Sequence, residues 1–150
     1  MSLIFREIEP PDLPALFEVR TATDENSYTL DELHALGITE ASVLEKLQSS
    51  YRGWLCEADG VVVGFAMGDR LTGELWVIAV LPDHVCRGIG SELLRRVEQW
   101  LWSEGCTRLW LTTDTDTGLR AYGFYRNRGW EDDRIGNGLR YMVKNMGSRI

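Results

Sequence analysis

The sequence holds little that could anchor a metal or a disulfide framework. Its three cysteines, Cys56, Cys86 and Cys106, are odd in number and form no C-x-x-C pair. Its two histidines, His34 and His84, have no ligand spacing between them. A disulfide-stapled scaffold is thereby excluded, no metal site is expected, and a reducing, cytoplasmic setting is the expectation. No apolar run approaches the length of a membrane helix, so no membrane partner is expected. The opening residues, MSLIFR, lack the pattern of a signal peptide. Basic excess is missing too: the formal net charge is −7, the wrong sign for a nucleic-acid footprint. That balance favours a cationic substrate such as an amine. There is no internal repeat, low-complexity tract or linker. A chain of 150 residues, 44% hydrophobic, fits a single domain, 1–150, with its own core.

Two nucleotide-binding fingerprints are also absent. Gly88-Ile89-Gly90 is followed by Ser91-Glu92-Leu93, without the third glycine of a dinucleotide turn, and no Gly-Lys-Ser/Thr completes a phosphate loop. What stands there is a β-branched apolar run over 74–80, a break at Pro82, and a glycine pair opening a helix over 88–103. Ile89, Leu93, Leu94, Val97, Trp100 and Leu101 form that helix's apolar stripe, and Glu92 can pair with Arg96 one turn on. Backbone N–H groups before such a helix converge at the positive end of its dipole, which is the chemistry of an anion site.

The other elements follow from periodicity and punctuation. A strand over 3–8 ends at Pro10-Pro11, and Asp12 is the expected N-cap of a helix over 13–20. A polar break over 21–28 precedes short helices over 29–36 and 40–49, the second capped by Thr39. Three short helices suit the shaping of a pocket better than the forming of a core. Strands over 52–57, 61–69 and 74–80 form an antiparallel meander through the turn at 58–60. The strand over 107–113 follows a crossover helix, so it should run parallel to 74–80. The loop 114–118 caps a helix over 119–127. Strands 130–134 and 139–144 close a hairpin around Gly136-Asn137-Gly138. Trp76, Trp100 and Trp110 should face the core and His84 should be exposed. This is a mixed-sheet α/β domain.

That order of parts resembles the GNAT superfamily of acyl-CoA N-acyltransferases. The resemblance rests on Val85-Cys86-Arg87-Gly88-Ile89-Gly90 and, some forty residues on, Ala121-Tyr122-Gly123-Phe124-Tyr125-Arg126-Asn127-Arg128-Gly129-Trp130, and it covers roughly 61–143. Two positions depart from the pattern. Val85 stands where the family has Gln or Arg, and Gly118 where many members carry an Asn that helps hold the pantetheine arm.

The resemblance implies an α/β, or α+β, mixed sheet of GNAT type. Its sheet is mostly antiparallel, with splayed parallel strands 4 and 5 and four to five helices. It implies acetyl-CoA as cosubstrate, no metal, and direct attack by a primary amine in a ternary complex. Backbone amides of Val85, Cys86, Arg87, Gly88, Ile89, Gly90 and Ser91 would hold the pyrophosphate, with the Arg87 charge beside it. The strand edge Ile78-Ala79-Val80 would pair with pantetheine, and the Val80 N–H would face the developing oxyanion. Tyr125 is the implied acid for the departing thiolate, against a packed core tyrosine as the plainer reading. Glu74 is the candidate base, against an edge residue; Glu57 and Asp114 are alternatives. A helix N-terminus could also activate Cys86 as an acyl carrier, although direct attack needs no protein nucleophile. Acceptor contacts are sought at Asp24, Glu25, Asn26 and Tyr28. The partner is then a small-molecule or peptide amine, and a homodimer is expected from family habit. The rival reading is an acyl-CoA sensor of the same fold without turnover.

Overall fold

A computed structural model of the chain describes residues 2–25, 27–85 and 87–149. Seven strands form one sheet: β1 (Leu3–Glu7), β2 (Tyr51–Ala58), β3 (Val61–Asp69), β4 (Glu74–Val80), β5 (Arg108–Thr113), β6 (Glu131–Gly136) and β7 (Leu139–Asn145). Their order across the sheet is β1-β2-β3-β4-β5-β7-β6. Every neighbouring pair is antiparallel except β4 and β5. Five α-helices accompany them: α1 (Leu13–Arg20), α2 (Leu30–Ala35), α3 (Glu40–Leu47), α4 (Ile89–Ser103) and α5 (Arg120–Arg126). The expected mixed sheet with a parallel β4–β5 pair is therefore present.

Local chemistry sets most boundaries. Thr29 and Glu32 bond reciprocally in a capping box at α2, and Thr39 and Ser42 do the same at α3. The turns Asp59-Gly60 and Asn137-Gly138 have positive φ at both central residues, the geometry that matches the twist of a hairpin. Asp12 departs from its expected role as the side-chain cap of α1. Its carboxylate accepts two bonds from Arg6, at 2.9 and 2.8 Å, and one from the Glu9 N–H. The Arg6 guanidinium holds the Asp12 carboxyl below its usual range. Asp12 thus ties β1 to the entry of α1.

Helix α4 crosses β2, β3 and β4 on one face of the sheet. It buries Leu93, Val97 and Leu101 completely, each burial contributing about 1.5–3 kcal/mol over exposure. Helices α1 and α3 cover the other face of β2, β3 and β4 through Leu13, Leu16, Val19 and Val43 against Leu55, Phe65, Met67 and Ala79. The expectation that the short N-terminal helices shape a pocket rather than form a core is thus corrected: they build a second core. Trp100 is buried as expected, but Trp76 and Trp110 are half-buried. Trp110 stacks on Tyr141 and donates its indole N–H to the Thr72 carbonyl. His84 is half-buried too.

β4 and β5 meet at one register position, Glu74 opposite Trp110, with the Trp110 N–H bonded to the Gly73 carbonyl at 3.1 Å. In the β3–β4 ladder Met67 faces Val77 and Gly68 faces Leu75, so Trp76 is an extra residue in β4. A bulge there bends the strand and increases its twist. Leu75, Ile78 and Val80 pack toward α4, while Trp76, Val77 and Ala79 pack toward α1 and α3.

A buried polar network joins the far half of the sheet to α4. Glu98 Oε1 accepts from Lys144 Nζ at 2.9 Å and Glu98 Oε2 from the Trp130 indole at 2.8 Å. Lys144 also donates to the Arg128 carbonyl at 2.8 Å. Because Glu98 and Lys144 are each only 8% exposed, removing one partner strands a charge in the core. Lys144→Met is expected to cost about 3–5 kcal/mol in chemical denaturation. The double variant Glu98→Gln/Lys144→Met should recover much of that loss. A single-variant cost below about 1 kcal/mol, the scale of an exposed pair, would show that the network is dispensable.

Candidate active site

A cavity of about 920 Å³ runs along β4, from the helices on one side of the sheet to the mouth between β4 and β5. Three regions line it: the first turn of α4, one side of α5, and the α1–α2 segment with its neighbouring apolar residues. A groove of this size and shape admits an extended ligand along a strand that lacks a continuous partner.

The α4 end has the features of an anion cradle. Gly88 precedes the helix with φ of +79°, a left-handed conformation that glycine adopts without strain. The first α4 bond runs from the Glu92 N–H to the Gly88 carbonyl, so earlier amides have no intrahelical acceptor. Gly90 is closely packed: a Cβ there would lie 3.3 Å from the Phe124 ring, tighter than an ordinary contact. The α5 aromatic ring therefore sits directly against the cradle. Such a donor set, amides at the positive end of a fifteen-residue helix, fits the diphosphate of coenzyme A.

Of the residues expected to hold coenzyme, Ile78, Ala79, Val80, Val85, Gly88, Gly90 and Ser91 all line this cavity. Ile89 turns its side chain into the core at 1% exposure, so only its backbone can serve a ligand. Arg87 is exposed. Cys86 lies outside the described residues. The Ser91 hydroxyl is engaged by the Arg128 guanidinium, whose Nε donates to it at 2.8 Å.

Tyr125 faces the same cavity from α5. Its ring makes edge contacts with Phe124 at 5.4 Å and Trp130 at 6.1 Å. Burial raises its pKa well above the ordinary phenol range, so the hydroxyl is protonated and available as a donor at neutral pH. Tyr125 is thus packed in the core and open to the cavity at once. Glu74 lines the cavity at the start of β4. Burial, reinforced by Asp69, raises its carboxyl pKa, while Lys46 opposes the shift. Glu57 is absent from this lining and contacts Arg6 at 3.5 Å, whereas Asp114 does line the cavity, its carboxylate accepting from the Asp116 N–H.

Asp24 and Tyr28 border the cavity near Arg20, whose guanidinium lies 4.7 Å from the Tyr28 ring centroid. Asn26 lies outside the described residues. The α5 N-terminus is not capped by the 114–118 loop. Asp114 and Asp116 close bonds within that loop, and Glu25 accepts from the Arg120 N–H at 2.9 Å. A carboxylate 95 positions away thus holds the α1–α2 segment to α5. Glu25, sought at the acceptor end, lines the cavity but spends its carboxylate on α5. Arg20 and Arg128 line the cavity as well, and sequence reasoning assigned a role to neither.

Among the described residues, no group of three or more His, Cys, Asp or Glu could hold a metal ion, and no helix is long and apolar enough to cross a membrane. Comparison with known proteins gives the fold a family. The sequence model of the acetyltransferase (GNAT) family matches residues 9–130. PaiA N-acetyltransferase from Thermoplasma acidophilum, solved in complex with coenzyme A, superposes with a TM-score of 0.83 at 20% identity, covering 97% of this chain and 99% of that one. Ribosomal-protein-S18-alanine N-acetyltransferase from Escherichia coli gives 0.75 at 19% identity, covering 97% and 94%. Ard1 from Thermoplasma volcanium gives 0.73 at 18% identity, covering 97% and 98%. A matched family model over most of the chain, with a parallel pair opening beside a glycine-led helix, establishes that the chain belongs to the acetyltransferase (GNAT) family of enzymes.

Proposed function

We propose that this enzyme transfers the acetyl group of acetyl-CoA to a primary amine, carried by a small molecule or a peptide, within a ternary complex. The observation that carries this reading is the continuity of one cavity past the α4 amides, Tyr125 and Glu74. Acetyl-CoA supplies an activated thioester. Amides of Gly88 to Ser91 bind its diphosphate, and the open edge Ile78-Ala79-Val80 aligns its amide-bearing arm.

Glu74 takes a proton from the incoming ammonium through water, so that the amine attacks as the neutral base. A carboxyl whose pKa is raised by burial is a better base for that task than an exposed glutamate. As the C–N bond forms, the Val80 N–H stabilises charge on the carbonyl oxygen. As the C–S bond breaks, Tyr125 donates its proton to the departing sulfur, and the proton shed by the acylated nitrogen passes through water to restore the phenol. The acceptor enters past Asp24 and Tyr28.

Thiol release from acetyl-CoA, measured against amines, peptides and aminoglycosides, tests the reaction. Release with at least one acceptor class is expected. Coenzyme binding without release on any acceptor would instead identify an acyl-CoA sensor. Tyr125→Phe should lower kcat by about 10²-fold, within the usual range for a proton-transfer group, with little change in acetyl-CoA affinity. Equal loss of both, together with a lower Tm, would assign Tyr125 to packing alone. Gly88→Pro removes an amide and imposes a negative φ where +79° is needed, so coenzyme binding should be lost.

Glu74 gives a prediction in stability as well as rate. Its folded-state pKa is raised, so the native protein binds protons there more readily than the unfolded chain. The associated stability is present at acid pH and is lost as pH rises through the raised value. Glu74→Gln should therefore raise Tm relative to wild type at pH 7, with the advantage fading as pH falls through the raised value to the ordinary carboxylate range, while turnover falls. A lower Tm at pH 7 would contradict the assignment of Glu74 as a destabilised, functional carboxyl.

A further inference from the structure

Arg128 is held beside the α4 cradle more firmly than a spacer residue requires. It lines the cavity together with Gly88, Gly90 and Ser91. Its Nε donates to Ser91 Oγ at 2.8 Å, its Nη2 donates to the same oxygen, and its Nη1 donates to the Phe124 carbonyl at 2.9 Å. The guanidinium lies 3.9 Å from the centroid of the Phe124 ring, the same ring that closes against Gly90. Its backbone is fixed as well, through the bond from Lys144. Three of five guanidinium donors are used in holding the side chain in place.

Ser91 belongs to the first turn of α4, so this geometry sets a cation at the positive end of a helix dipole. That juxtaposition is unfavourable on its own, since cations are stabilised at helix C-termini and repelled at N-termini. A ligand carrying two adjacent negative charges reverses the sign of both effects. We infer that Arg128 is a coenzyme-binding residue: it clamps the diphosphate of acetyl-CoA with its remaining donors, and Ser91 is its positioning residue. This rests on the coenzyme reading proposed above. It supplies a fixed side-chain cation at a cradle where Val85 provides none. It also gives the Ser91 hydroxyl a task distinct from direct phosphate binding.

The simpler alternative is a cation that only caps the last carbonyls of α5. Calorimetric titration with coenzyme A and with 3′-dephospho-coenzyme A separates the two. Wild-type protein should bind both. Arg128→Gln should weaken both about tenfold or more, as expected for loss of a charge-assisted contact, and should shrink the rise in Tm that coenzyme A produces. Ser91→Ala should weaken both by a smaller factor, because the cation remains but loses its anchor. Wild-type affinity in folded Arg128→Gln, even with a lower Tm of the free protein, would overturn the assignment and leave α5 capping. A loss confined to coenzyme A, with dephospho-coenzyme A unaffected, would overturn the diphosphate as its target. Should Arg128→Gln fail to fold, Arg128→Lys keeps the charge but not the planar fork. A several-fold loss of affinity is then expected, and unchanged affinity would overturn the clamp. Failure of the wild-type protein to bind either ligand would overturn the coenzyme reading itself.

Discussion

The bond between Glu98 and Lys144 is the constraint on which the site depends. One carboxylate in the middle of α4 receives both the β7 ammonium and the Trp130 indole, and the same ammonium reaches back to the Arg128 carbonyl. Three pieces of chain that are remote in sequence are thereby set in one relation: the glycine-led helix, the last strand, and the bend after α5. A purely apolar contact could bury similar area, but it would tolerate sliding. Directional bonds to a buried charge do not, because each misplacement leaves a polar group without a partner. The relative position of α4 and α5 in turn sets the Phe124 ring against Gly90 and aims Tyr125 into the cavity.

The two ends of the cavity have different electrostatic characters. Near α4 lie a helix N-terminus and a guanidinium, a field suited to a polyanion. Near the start of β4 lies a carboxyl whose ionisation is opposed by burial and by Asp69. Tyr125, a neutral phenol whose pKa burial raises further, lines the same cavity. Such separation of anion binding from proton handling is what an acyl transfer from an anionic carrier to an amine requires. Bulging at Trp76 and the single β4–β5 register pair keep the intervening strand edge available for a ligand.

Much of this was legible before any coordinates. Helix α1 and strands β3 and β4 fall where periodicity puts them, because their apolar spacing and flanking Pro, Gly and Asp residues agree with their burial. The glycine pair and the aromatic segment around Tyr125 carried the fold, since each encodes a local geometry in few residues. Side-chain partnerships across the fold were not legible. Asp12 reads as a helix cap, yet Arg6 claims it. The 114–118 loop reads as the α5 cap, yet Glu25 supplies the acceptor. Nothing local distinguishes Glu98 from an exposed helix glutamate, or Arg128 from a spacer. Trp76 and Trp110 read as core because apolar pattern alone cannot show where one face of a sheet is left open.

The proposed reaction requires the coenzyme to lie along the β4 edge with its diphosphate at α4 and its thiol directed toward Tyr125. A crystal structure of the protein with coenzyme A tests it directly. Diphosphate oxygens are expected within hydrogen-bond distance of the amides between Gly88 and Ser91, and the sulfur beside the Tyr125 hydroxyl. Coenzyme bound with its diphosphate elsewhere, or with its sulfur directed away from Tyr125 and Glu74, would contradict it.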